Sequence, residues 1–336
     1  MYRVNVDNID TLNKFLSIND IEYLDAIIDK DGAILVSNTV EMFAAIQLDA
    51  FPIDEESKLM LRIPKKLFSS LVTQGYFLIS VFNEIVTLKF FVNENDMVEN
   101  TCTIEFNQQD VWTEGYTNKL ELLSEIEDKV VYDISGLSNI LRIGASNKTV
   151  LNCNNKIASI TINSTTKVFQ SLTTDMRFSV PAASLFTLSK ISKHVFDYKN
   201  YLGISKDGFT VLCTKARGED NEIFTLIKEE KSSFICNVDL RYIHSFLNKI
   251  KISSNTVNLD IDAGEVLIED NTRKYRIPVM VKDLRKSSVC SECVVTISKA
   301  ILDIFSKMMQ NNIVTLSNKR TFVLLEYKDI AVCFRS

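Results

Sequence analysis

The residues best able to do chemistry in this 336-residue chain are few and poorly matched to catalysis. Cys290-Ser-Glu-Cys293 is a CxxC pair, the spacing of half a structural zinc site or of a thiol oxidoreductase. Structural zinc takes four ligands, and neither a second cysteine pair nor a histidine pair stands nearby. A thioredoxin-like role needs a βαβ setting and a helix start that lowers the thiol pKa. The pair is therefore read as incidental loop cysteines. Asp260 and Asp262 with Glu265 offer carboxylates to a cation, yet they lack the helix-flanked loop of an EF-hand and sit where a hairpin should turn. His194 and His244 are the only histidines, which weakens general-base, hydrolase and metalloenzyme readings. No GxGxxG, GxxxxGK[ST] or GxSxG occurs. The expectation is a protein that is not an enzyme and uses neither metal nor cofactor.

Phosphate recognition is better supplied. Apolar residues at helical spacing recur in six short windows: Ile9–Asn19, Pro64–Gln74, Ser135–Lys148, Pro181–His194, Asp239–Lys251 and Ser298–Gln310. Pro64 and Pro181 suit a first helical turn, and Asp239 and Ser298 can cap one. Glu is a strong helix former that normally decorates solvent-facing turns. The chain has 20 Glu, yet none falls in these windows, which carry 12 Lys or Arg against 3 Asp. Lys14 and Ser17 face outward on the first window, and Lys65, Lys66, Ser69 and Thr73 on the second. Arg142 and Ser146 do so on the third, with Lys148 at its end, and Thr187, Lys190, Lys193 and His194 on the fourth. The fifth presents Arg241, Ser245, Asn248 and Lys249. The sixth presents Lys299, Asp303, Ser306, Lys307 and Gln310, opposite a buried side of Ile301, Leu302, Ile304, Phe305, Met308 and Met309. On any one helix an ordinary solvated face explains such a pattern. Across six, basic faces bearing hydroxyl and amide donors suit a nucleic-acid backbone contacted without base readout.

These windows recur in a larger order. Each is followed by a strand and then a hairpin turn, at Asp31-Gly32, Asn83-Glu84, Asn154-Asn155, Asp207-Gly208, Ala263-Gly264 and Asn318-Lys319. A short amphipathic helix cannot hide its apolar stripe alone, so two helix-plus-sheet units should combine into one α+β domain. Six units make three domains, 1–122, 128–228 and 232–336, divided near the acidic stretch Thr117–Lys129 and the charged run Lys228-Glu229-Glu230-Lys231. Composition agrees: 46% hydrophobic and 24% charged residues are ordinary for a globular protein, and the length exceeds what one core usually serves. The net charge of −5 confines any basic patch to a local surface. Seven scattered cysteines, no long apolar run and no signal-like N-terminus predict a reduced, cytoplasmic protein without a membrane segment.

This repeat order resembles the DNA sliding clamps of the bacterial type, the beta subunit of DNA polymerase III, related in fold to PCNA. The local sequences that carry the resemblance are RIPKKLFSSLVTQGYFLISVFNEIVTLKF at 62–90, RFSVPAASLFTLSKI at 177–191, SFICNVDLRYIHSFLNKIKISSNTVNLDI at 233–261 and the closing stretch 295–336. The resemblance implies three tandem clamp domains per chain, and a head-to-tail homodimer closing a ring with helices inside and sheets outside. It implies a processivity factor that encircles double-stranded DNA and tethers a DNA polymerase and a clamp loader. The DNA-facing residues would then be Lys14, Lys65, Lys66, Arg142, Lys148, Lys190, Lys193, Arg241, Lys249, Lys299 and Lys307. A pocket for partner peptides is expected at Ile162, Thr165, Thr166, Val168, Val332, Phe334 and Arg335. Two departures touch that pocket: Ile162–Thr166 replaces the family's Thr-Asp-Gly-His-Arg stretch, and Val332-Cys333-Phe334-Arg335 replaces its Met-Pro-Met-Arg ending. The alternative is a clamp-fold scaffold that binds partners without encircling DNA.

Overall fold

The computed structural model describes residues 1–18, 21–54, 58–70, 75–91, 102–107, 117–121, 129–206, 208–218, 222–240, 243, 245–246, 249, 255–270, 273–308 and 313–335. The helices with both ends described are α1 Ile9–Ile18, α2 Thr117–Glu121, α3 Ser138–Ser146, α4 Ala182–Ile191, α5 Glu222–Glu229 and α6 Lys299–Met308, and Ile243, Ser245, Phe246 and Lys249 are helical as well. Strands supply most of the remaining ordered structure, so the chain is a mixed helix-and-sheet protein rich in strand. Two compact units emerge, Met1–Ile134 with Thr187–Lys215, and Ser135–Phe186 with Ala216–Ser336.

The first unit holds a five-stranded and an eight-stranded sheet. The larger one is made continuous by the antiparallel ladder of Met42–Leu48 with Phe209–Thr214, two segments far apart in sequence. Helix α1 lies against this unit because its spacing puts Leu12, Phe15 and Ile18 on one buried side, and Phe15 meets Phe209 edge to face at 6.4 Å. Its start is fixed by Asn8, whose Oδ1 accepts the Thr11 N–H at 3.0 Å. Each large buried side chain here stabilises the fold by about 1.5–3 kcal/mol.

The second unit holds a nine-stranded and a four-stranded sheet. Its long sheet is joined by Thr166–Ser171 pairing antiparallel with Ile330–Phe334. Helix α3 buries Ile140, Leu141, Ile143 and Gly144, and a Cβ on Gly144 would stand 2.6 Å from the Ala182 Cβ. Glycine there permits a close approach that alanine would block. Helix α6 begins at Ser298, whose Oγ accepts the Ile301 N–H at 3.4 Å, and buries Ile301, Leu302, Ile304 and Phe305. That matches the expected face as far as it is described, since the side chain of Met308 and the whole of Met309 lie outside the described residues.

Several expected elements differ. Pro64 ends the strand Leu59–Pro64 and only a 3₁₀ helix, Lys65–Ser70, follows, with Phe68 buried against Phe77 and Phe90. Pro181 closes a strand and stands immediately before the first turn of α4, while Asp239 closes the strand Ser232–Asp239, and His194 opens the strand His194–Tyr198, where a helix face was expected. Most of the window Asp239–Lys251 lies outside the described residues. The run Lys228–Lys231 is no bare linker: Lys228 and Glu229 end α5, whose Phe224 and Ile227 are buried on the sheet beside Phe169 and Leu324. Thr117–Glu121 likewise forms α2. Of the turns, Asn83 and Glu84 both have positive φ, 48° and 65°, as a tight hairpin requires, and Gly264 turns at φ 64°. The third turn falls one residue later, at Asn155-Lys156, and the last follows Lys319, which is itself the end of a strand.

Candidate nucleic-acid interface

Within the first unit, a groove of about 710 Å³ runs between the start of α1 and the strands His194–Tyr198 and Tyr201–Lys206. Four lysines line it, Lys14, Lys129, Lys193 and Lys206, against a single acidic side chain, Asp10. Helix α1 delivers Lys14 because Leu12 and Phe15 are anchored in the core, which turns Lys14 outward one turn beyond the capped N-terminus. The turn after α4 delivers Lys193: the Ser192 hydroxyl donates to the His194 carbonyl at 2.8 Å and accepts the His194 N–H at 3.0 Å. Lys129 lies with its ammonium 4.6 Å from the centroid of the Phe196 ring, a cation–π contact that leaves the charge at the groove. Asn8, Thr11, Ser192 and Ser205 add short polar side chains along the walls. An excess of ammonium groups with neutral donors between them is the chemistry that holds phosphate oxygens.

Two of the residues expected to face DNA, Lys14 and Lys193, are thus brought together, while Lys190 is exposed on α4 of the same unit. Lys65 and Lys66 line a separate, smaller recess with Glu22 and Tyr23. In the second unit Arg142 is exposed on α3, Lys148 follows that helix with φ 52°, Lys249 is exposed and Lys299 is half-buried at the first residue of α6. Arg241 and the side chain of Lys307 lie outside the described residues. Lys129 and Lys206 stand outside the six helical windows, so the helix faces alone do not reveal them. Lys206 ends a strand, and Lys129 lies in a stretch taken as a linker.

The expected peptide pocket draws on two distant segments, and the nine-stranded sheet places them side by side. Val168 is registered with Val332 and Thr166 with Phe334, and the Arg335 N–H donates to the Thr165 carbonyl at 3.3 Å. Thr166, Val168, Val332 and Phe334 are buried in the sheet, so the accessible side chains of the group are Thr165, Arg335 and the half-buried Ile162. The next residues along, Phe169, Ala331 and Cys333, face the other side and are covered by α5, with Phe224 stacked on Phe169 at 4.4 Å. Burial drives the Cys333 thiol up to about 12, with the Glu230 carboxylate adding to the rise. Lys319 fixes the end of α5: its buried ammonium donates to the carbonyls of Lys228 at 3.2 Å and Glu230 at 2.7 Å.

Comparison with solved structures finds the same architecture along the whole chain. A DNA polymerase III beta chain from Streptococcus pneumoniae superimposes with a TM-score of 0.69 at 12% identity, covering 99% of this chain and 98% of that one. The chain has the sliding-clamp fold. The DNA polymerase III beta subunit of Pseudomonas aeruginosa gives 0.69 at 10% identity, covering 100% and 99% of the two chains. That of Borrelia burgdorferi, solved in complex with a natural product, gives 0.68 at 13% identity over 100% and 97%. No protein-family model and no curated protein matches the sequence. Among the described residues no group of three or more His, Cys, Asp or Glu could hold a metal ion, and no helix is long and apolar enough to cross a membrane.

Proposed function

We propose that the chain is a polymerase processivity factor: a cytoplasmic, non-catalytic clamp of three tandem domains, 1–122, 128–228 and 232–336. Two copies joined head to tail close a ring around double-stranded DNA and hold a DNA polymerase and a clamp loader to it. The observation that carries this reading is the lysine-lined groove on a chain whose full length has the sliding-clamp fold. Lysine ammonium groups with Ser, Thr and Asn beside them bind phosphates without distinguishing bases, as a protein that moves along DNA requires. Partner peptides would dock at the strand ends where Thr165 and Arg335 are exposed and Ile162 is half-buried.

The test is topological. Light scattering should give a mass of about 76 kDa, twice the 38.2 kDa of one chain. The protein loaded on a nicked circular duplex should stay bound in high salt and leave once the circle is cut. A monomer that never becomes linked to the circle would refute the ring and favour the scaffold.

A further inference from the structure

The CxxC pair left without a role by the sequence has a geometry that supplies one. Cys290 and Cys293 lie on the loop between Val281–Lys286, an edge strand of the nine-stranded sheet, and Val294–Ser298, an edge strand of the four-stranded sheet. Their sulfurs are 3.5 Å apart, and the Cys290 thiol also reaches the Glu292 carbonyl at 3.3 Å. Both ends of the loop are fixed: the Ser287 N–H donates to the Ser233 carbonyl at 2.8 Å, and the Cys293 carbonyl accepts the Ile261 N–H at 2.8 Å. Between them Val289 is 89% exposed, so the part of the loop that must adjust is at the surface. A disulfide needs the sulfurs at about 2.05 Å, an approach of roughly 1.5 Å that side-chain rotation on this loop can supply. The two thiols differ in access. Cys290 is partly exposed and Cys293 is fully buried.

We propose that Cys290 and Cys293 form a reversible oxidation site whose co-substrate is a small-molecule disulfide. The Cys290 sulfur, as thiolate, attacks one sulfur of the disulfide, breaks its S–S bond and expels one thiolate. Cys293 then gives up its proton and attacks the Cys290 sulfur, forming the protein disulfide and expelling the second thiolate. Two protein thiols are oxidised, the external disulfide is reduced, and the two released thiolates carry off the two protons. The order follows from the surroundings. Burial, and after it the hydrogen bond to Cys290, raises the pKa of the Cys293 thiol, which suits the resolving position over first attack. The Lys286 ammonium, ion-paired with Asp262, favours negative charge on the Cys293 sulfur, and the Asp262 carboxylate opposes it more strongly, which again keeps Cys293 a thiol until the resolving step. Cys236, buried on Ser232–Asp239, is held as a thiol, raised to about 12 by burial and by the nearby Cys293, and takes no part.

The experiment treats the full-length protein with oxidised glutathione, blocks remaining thiols by alkylation and maps tryptic peptides by mass spectrometry. Cleavage after Lys286 and Lys299 releases one peptide carrying both cysteines. The expected product is that peptide short of two hydrogens and unalkylated, restored by dithiothreitol. Cys293→Ser should stop at a glutathione adduct on Cys290 that persists at least about tenfold longer than in the parent, because the neighbouring thiol no longer displaces it. Cys290→Ser should leave Cys293 free to be alkylated after unfolding, and Cys236→Ser should behave as the parent. A stable adduct on Cys290 in the parent, a bridge to Cys236, or full alkylation of both thiols would overturn the proposal. Circular dichroism of each variant separates lost chemistry from lost folding.

Discussion

The groove lysines permit a quantitative test of phosphate binding. Each lysine that neutralises a phosphate releases counterion and contributes about 0.9 to the slope of log affinity against log salt. Lys14 and Lys193 are both exposed and line the same groove. If each meets one phosphate, changing both to Ala lowers the slope by about 1.8 and, at about 0.1 M salt, the affinity by roughly 60-fold. The lost cations alter no core packing, since Leu12 and Phe15 still anchor α1 and the Ser192 turn is untouched. The assay is fluorescence anisotropy of a labelled duplex between about 50 and 200 mM salt, the range in which counterion release dominates. Lys30→Ala, at an exposed hairpin turn on the same unit, is the control and should leave the slope unchanged. Parallel salt plots for the double variant and the parent would refute the assignment of this groove to phosphate, whatever the absolute affinities.

Three further outcomes follow from the packing. Lys319→Met removes the ammonium that caps α5, leaving the Lys228 and Glu230 carbonyls without it, and should lower stability by about 2 kcal/mol in denaturant titration. Gly144→Ala places a methyl group against the Ala182 Cβ and should cost about 1–3 kcal/mol, with partial recovery in the Gly144→Ala/Ala182→Gly double variant. Cys236 and Cys333 stay protonated in the folded chain up to about 12, whereas unfolded thiols ionise near 9.0. Their contribution is therefore complete below about 9 and lost as pH rises toward about 12; unfolding midpoints followed through that window should fall less in Cys236→Ala than in the parent.

Periodicity exposed the elements with one strong face. Helices α1, α3, α4 and α6 coincide with windows chosen by apolar spacing, and the Asn83-Glu84 turn follows from residues that accept positive φ. Helix α5 escaped because it is only eight residues long and runs into the charged Lys228–Lys231 stretch, and the residues that receive Phe224 and Ile227 come from elsewhere in the chain. The same reason hid the accessible part of the expected peptide site. Whether Val168 or Phe169 lies under α5 depends on which side of the sheet that helix covers, and alternation along one strand cannot decide that. Only the ladder joining Thr166–Ser171 to Ile330–Phe334 fixes it, a pairing across about half the sequence that no local pattern encodes.

Charge placement links the acidic whole to its basic groove. A chain with a net charge of −5 gains nothing from general attraction to DNA, so any attraction must be concentrated where four lysines face one aspartate. The kind of cation matters as much as its sign. Arginine binds phosphate through a planar two-point fork that fixes direction, whereas lysine is a mobile point charge on a flexible stem. Among the described residues lining the groove every strong cation is lysine. Such charges keep nearly the same energy as a phosphate lattice shifts beneath them, because each ammonium can exchange one oxygen for the next without losing a fixed geometry. Replacing Lys14 and Lys193 by Arg therefore preserves the charge while adding directional bonds. On the proposed ring, that change should slow movement along duplex DNA more than it tightens binding, a separation that a purely electrostatic count of charges does not provide.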